Sequence, residues 1–317
     1  MGDFLTHVVQ AERVLERIES RRVVDGIRSN MKLFRLGAQG PDPLFFHHCF
    51  PGDGKGSLVA VGTQLHLLRT GTFLVHGFRQ LSPVSWNAGW IQLASYLTGF
   101  VCHFCADRFL HPYVNAMEHN WAWSRDGLPA RTTHGEMETM LDVILWREEG
   151  HGPAARARTA GMCPGPQPWP EPIVNFWVTG LYDVFRLHVR ESLLAETARD
   201  FHRAHALLYD PRGIKKQLVQ WIDGLTGGAF HPAKMPYPLK ETMEIDWMNI
   251  RHRTWSQPEL PDVRRNETVE ELMAAAVNEA ANSINGLFAV LFRQEGHLEQ
   301  WLPNLDYNTN LPCLAPL

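Results

Sequence analysis

In the stretch HFCADRFLH, two imidazoles and a carboxylate fall at four-residue intervals, as His103, Asp107 and His111, within an otherwise apolar run. An α-helix turns about 100° per residue, so residues i and i+4 share a face one turn apart. The same unit recurs as His134 and Glu138. His66 stands in LHLLRT, His7 in THVV with Asp3 four residues before it, and Asp42 in the tight loop GPDP. Zinc takes imidazole and carboxylate ligands, and two on one rigid helix fix the bite geometry before the ion arrives. Two or three such ions about 3.5–4 Å apart serve phosphoryl-ester hydrolysis, one activating water while the others hold the phosphate and the leaving oxygen. A single His-x3-Asp pair is as readily a helix ion pair. Five such elements in one chain favour a metal centre.

Helices must carry these residues. Apolar residues recur at helical spacing over 4–19, 57–80, 90–110, 134–149, 172–195, 199–208, 212–225 and 267–295, with Thr132 or Thr133 and Asn266 or Thr268 as candidate caps. Gly- and Pro-rich punctuation separates them, as in GAQGPDP and GMCPGPQPWPEP. No stretch alternates with period two for long enough to build a sheet. The expectation is an all-α protein, a multi-helix bundle of roughly eight to ten helices with long loops. Pro112 disfavours the helical conformation at residue 111, so the helix carrying His103 and Asp107 is expected to end near Leu110, with His111 in the exit turn.

Composition bounds the rest. The 317 residues are 44% hydrophobic and 20% charged, enough to bury a sizeable core. A net charge of −4 gives no basic field for duplex nucleic acid. No run is long and apolar enough to span a membrane, and the charged, amphipathic N-terminus reads as part of the fold rather than a signal peptide. MGDFLT matches only the loose myristoylation pattern. Five cysteines without framework spacing fit a reducing compartment, so a cytoplasmic address is expected. Cys102 and Cys105 read as core residues. His47 and His48 have two readings, contact with a substrate phosphate or loop exposure. Asp142 either orients a ligand imidazole or is an exposed helix carboxylate, and Arg69 and Arg108 either pair with a substrate phosphate or lie on helix surfaces.

The order His7, Asp42, His66, His103-x3-Asp107, His111 and His134-x3-Glu138 resembles the zinc-dependent phospholipase C family. The likeness is carried by DFLTH, LGAQGPDPLFF, YLTGFVCHFCADRFLHPYV and THGEMET, over about residues 1–145. It looks more like the family's bacterial cytoplasmic branch; secreted phospholipases C and single-strand-specific zinc nucleases are more distant relatives of the same all-helical fold. The resemblance implies one domain over 1–317, with metal motifs in 1–145 and a helical half, 170–300, packing on them. It also implies two or three zinc ions. Asp42, His66, His103 and Asp107 would surround the first, and His111, His134 and Glu138 the second. Asp107 would bridge to a third that His7 also binds. Secreted relatives complete that third site with a processed N-terminal amine; here Asp3 is the candidate replacement, the rival being a dinuclear enzyme. Choline-specific members carry an aromatic after the loop Asp, where this chain has Pro43, with Phe45 and Phe46 nearby.

The implied function is hydrolysis of a phosphoric ester by a zinc-bound hydroxide, with Asp42 orienting or deprotonating the water. The expected substrate is a phosphodiester, either a phospholipid headgroup or a related small diester, with peripheral membrane contact possible in such a protein. Two alternatives stand beside it. One is a single-strand nuclease or nucleotidase using the same site, against which the acidic charge balance argues. The other is a helical binding or scaffold protein with structural zinc, against which the carboxylate-rich pattern argues.

Overall fold

The fold comes from a computed structural model, which describes residues 4–50, 52, 58–121, 132–225, 236–240 and 245–314. Among these, twelve α-helices and no named strand are found; Trp255–Arg265 and Leu305–Pro312 form only isolated bridges. The helices are α1 (Phe4–Leu15), α2 (Arg21–Ser29), α3 (Met31–Gly37), α4 (Val59–Leu67), α5 (Thr70–Arg79), α6 (Ala88–Ala116), α7 (His134–Glu148), α8 (Thr159–Met162), α9 (Glu171–Phe185), α10 (Glu191–Leu208), α11 (Ile214–Leu225) and α12 (Val269–Arg293). A 3-10 turn, Asp42–Phe46, follows α3.

The count exceeds the sequence expectation because the 57–80 run is split in two and because α2, α3 and the four-residue α8 match no expected run; left-handed residues set two of the boundaries. Arg69 (φ +50°) separates α4 from α5, and Arg186 (φ +61°) caps α9 before α10 begins. The short helices α2 and α3 went unread because charge masks their small apolar stripes. Of the candidate caps, Thr133 and Thr268 are the ones used. Each closes a reciprocal capping box, with Glu136 and Glu271 respectively, and so satisfies otherwise orphaned N–H groups.

The axis of the fold is α6, 29 residues long and buried on nearly every side. It packs against α1, α2, α3, α5, α7, α9 and α12. A helix that is apolar all round must be enclosed in this way. Its approach to α3 is backbone to backbone: a Cβ on Gly37 would stand 1.9 Å from the Tyr96 carbonyl oxygen. On another side, Trp177 of α9 donates its indole N–H to the Tyr96 hydroxyl at 2.9 Å, inside the core.

Pro112 does not end α6. The helix runs on to Ala116 and closes in a π turn, Met117–Trp121. Proline within a helix costs about 3 kcal/mol, through a missing hydrogen bond and a steric clash. The continuation buries Tyr113, Val114, Ala116 and Met117, and large apolar side chains contribute roughly 1.5–3 kcal/mol each when fully buried. Burial therefore outweighs the proline, and His111 is a helical residue.

Candidate metal centre

Four elements converge on the inner face of α6. Its stripe His103, Asp107 and His111 lies in the core, each at most 7% exposed. His7 comes from the first turns of α1, and Asp42 heads the 3-10 turn. His66 is in the last turn of α4, and His134 and Glu138 open α7.

Asp107 is the hub. One oxygen, Oδ1, lies 3.2 Å from His7 Nε2 and 3.8 Å from His111 Nε2; the other, Oδ2, lies 3.1 Å from His103 Nε2 and 3.7 Å from His66 Nε2. His66 Nε2 is also 3.1 Å from Asp42 Oδ1. In the third group His134 Nε2 stands 2.8 Å from Glu138 Oε1, and His111 Nε2 is 3.8 Å from the same oxygen. Ligands at zinc bond lengths of about 2.0–2.1 Å stand about 3.3 Å apart on a tetrahedron. Candidate ligand atoms thus come together in three groups: His7, His103 and Asp107; Asp42, His66 and His103; and His111, His134 and Glu138. Asp3 lies outside the described residues.

The fit to a cation rests on more than spacing. His103 Nε2, His111 Nε2 and Asp107 Oδ2 are buried and none is aligned for a hydrogen bond, although His103 Nε2 and Asp107 Oδ2 stand 3.1 Å apart. Unpaired buried polar atoms are costly, and a shared cation would satisfy them together. Burial disfavours the Asp107 carboxylate, but the charges of His103, His111 and His7 outweigh it and hold its pKa well below the ordinary range. Burial likewise opposes ionisation of Glu138, whose pKa is nevertheless well below normal, with His134 among the groups holding it there. Both carboxylates are ionised and ready for a cation.

Other groups aim these ligands. His66 donates from Nδ1 to the Gly62 carbonyl at 2.8 Å, which leaves Nε2 for the centre. His134 donates from Nδ1 to Asn115 Oδ1 at 3.1 Å, and Asn115 in turn donates to the Asn308 carbonyl. Asp142, fully buried rather than exposed, holds α1 in place. Its Oδ1 accepts from the Thr6 backbone N–H at 2.6 Å, next to His7, and its Oδ2 accepts from the Tyr237 hydroxyl. Tyr307 packs its ring on His66 and His103, with centroids 5.1 and 5.5 Å away. Asn115 and Tyr307 were missed by the sequence reading. Asn115 continues the i, i+4 stripe past Pro112, so following the stripe would have found it; Tyr307 carries no local signal.

Arg69 and Arg108 do not face the centre. Arg69 donates to the Val184 carbonyl. Arg108 binds Glu279 of α12 and Asn310, tying α6 to the C-terminal segment. Cys102 and Cys105 are buried, unbridged core residues. His47 and His48 meet Glu196 of α10 instead of the cleft.

A profile of a known family, described as zinc dependent phospholipase C, matches residues 6–187. The chain belongs to the zinc-dependent phospholipase C family. The match runs past α7 and through α9, beyond the motifs first recognised. No curated protein and no solved structure matches the chain. As a zinc-dependent phospholipase C family member, it is an all-helical, metal-dependent phosphoric ester hydrolase with zinc as cofactor. No helix of the described residues is long and apolar enough to cross a membrane.

Two outcomes are expected. Asn115→Ala frees the His134 ring and should weaken zinc binding about 10–100-fold, the usual effect of losing a partner that orients a ligand; competition with a chromophoric chelator measures it. The second concerns protons. Burial opposes charging His66, yet the Asp42 hydrogen bond and the Asp42 and Asp107 charges raise its pKa to about 9. Chelated protein therefore carries a proton on His66 at pH 7, and zinc must displace it. Calorimetry in buffers of different ionisation heat should show this release at pH 7 and its decline above pH about 9. Because the folded pKa is raised, the His66–Asp42 pair stabilises chelated protein fully below the unfolded value of about 6.5. That stabilisation is lost as pH rises through about 9.

Proposed function

We propose that the chain hydrolyses a small phosphodiester, a phospholipid headgroup ester or a related diester, at the centre around Asp107. The observation that carries this reading is the cleft onto which two of the three groups open, through Asp42 and His66 and through His111, His134 and Glu138. It has a volume of about 280 Å³ and is lined by Asp42, Phe45, Thr63, His66, Leu67, His111, His134, Glu138 and Asn308. The size suits a headgroup. Among the described residues the lining includes carboxylates, imidazoles and one aromatic wall, Phe45, but neither Lys nor Arg, which speaks against a polyanionic strand. Phe46 turns the other way, edge-on to Phe201.

In this reading Asp42, His66, His103 and Asp107 hold one zinc, and His111, His134 and Glu138 a second. His7 and Asp107 contribute to a third, with Asp3 the proposed further ligand. Zinc supplies Lewis acidity at such a centre, acidifying water toward neutrality and offsetting charge on the phosphoryl oxygens. Asp42, with one oxygen on His66 and its side chain at the cleft, orients the attacking water and takes its proton. The water oxygen bonds to phosphorus, the bond to the alcohol oxygen breaks, and the proton returns to the departing alcohol. Asn115 and Tyr307 keep the imidazoles aimed. We read the whole chain as one catalytic unit, since α12 and Tyr307 close the walls around ligands from the N-terminal half.

The test is a substrate panel: a choline-phosphate diester, an aryl phosphodiester, a phosphomonoester and single-stranded DNA, each with and without chelator. The expected result is chelator-sensitive diester cleavage, with Asp42→Asn lowering kcat by about 10²–10⁴-fold, the usual range for a lost general base. Cleavage of DNA alone would replace this reading with a nuclease.

A further inference from the structure

A second cluster of metal-binding side chains lies outside the centre and shares no residue with it. His47 and His48 follow the 3-10 turn headed by Asp42 and meet Glu196 on α10. Their Nε2 atoms are 3.3 and 3.1 Å from one carboxylate oxygen, Glu196 Oε2. The rings stack, with centroids 4.0 Å apart and planes 17° from parallel. Neighbouring residues in extended chain point to opposite sides. Here His48 is left-handed, with φ +55°, a conformation uncommon outside glycine. Its backbone N–H is anchored on Asp200 Oδ2 at 3.0 Å, one turn beyond Glu196. The backbone thus brings two imidazole edges to the same oxygen.

We propose that His47, His48 and Glu196 form a separate site for a divalent transition ion of the zinc class. If both contacts were hydrogen bonds, one oxygen would accept two N–H groups from rings stacked face to face, with their protons side by side. A shared cation instead takes the nitrogen lone pairs, which neutral stacked imidazoles tolerate. The separations match the tetrahedral edge of about 3.3 Å for zinc, and two imidazoles with a carboxylate are a donor set zinc accepts. His47 is enclosed, while the Glu196 and His48 side chains keep 31% and 23% exposure. An ion can therefore enter from solvent on the side of Glu196 and His48. An ion there pins the turn that begins at Asp42 to α10, away from the cleft.

The experiment counts zinc in the full-length protein after equilibrium dialysis at micromolar free zinc. Wild type is compared with Glu196→Gln, His48→Asn and the central variant His103→Asn, with helicity checked by circular dichroism. Glu196→Gln and His48→Asn should each bind one zinc fewer per chain. In His103→Asn, adding His48→Asn should still remove one. A failed central centre thus leaves the peripheral count readable. Should Glu196→Gln lose helicity, the partly exposed His48→Asn decides alone. Zinc contents equal to wild type in folded His48→Asn would overturn the site, leaving an ion-paired histidine couple.

Discussion

Asp107→Asn is expected to remove zinc from the centre and to lower kcat/KM by at least about a thousandfold, beyond the roughly 10–100-fold that loss of an orienting partner produces. Its two oxygens divide four imidazoles between them, so no other residue spans more of the site. Asparagine keeps the shape but gives up the charge and one of the two acceptors. The fold should suffer less than the activity. Breaking a buried ion pair costs about 3–5 kcal/mol when the remaining charge is stranded, but imidazoles can shed their protons instead. Zinc content and steady-state kinetics on the diester check this together. A folded variant with wild-type zinc and turnover would remove Asp107 from the centre.

Gly40→Ala should disable the same site without replacing a candidate ligand. Gly40 has φ +50°, and a Cβ built there would lie 2.1 Å from Cδ2 of His103. That ring cannot retreat, since it is fully buried and packed on His7, with centroids 4.4 Å apart, and on His66, Phe100 and Tyr307. A misplacement of about 1 Å in a catalytic array costs on the order of 10²-fold, and left-handed backbone adds about 1–2 kcal/mol of strain at a residue with a Cβ. Gly150→Ala is the matched control. It too has positive φ, at +80°, but its Cβ would meet nothing within 4 Å. Activity and thermal midpoint of the two variants separate the clash from the backbone strain. Equal behaviour would mean that the Gly40 contact is unimportant.

The four-residue spacings were legible in the sequence because they are local. His103 and Asp107, and His134 and Glu138, need only a regular helix to bring each pair together. The all-helical class was legible for the same reason. What failed was the weight given to Pro112, a local preference overridden by burial of Tyr113 and Val114, which are close in sequence but buried against distant elements. That error also hid Asn115. Tyr307 and the role of Asp142 were out of reach in another sense. Tyr307 is far in sequence from the histidines it covers, and Asp142 bonds a backbone N–H 136 residues away. Neither chain distance leaves a periodic trace. The breaks at Arg69 and Arg186 were invisible because arginine carries no signal for left-handed backbone.

Tyr307 has a further consequence for how this protein can be divided. Every described candidate ligand of the centre lies between His7 and Glu138, and the family profile ends at residue 187. A fragment cut at that boundary would look complete on paper. It would lack the ring that backs His66 and His103, the Asn308 carbonyl that holds Asn115, and α12, which covers α1 and α6. The part of the gene that spells the centre is shorter than the part that shelters it, so truncation libraries and domain shuffling should keep the tail.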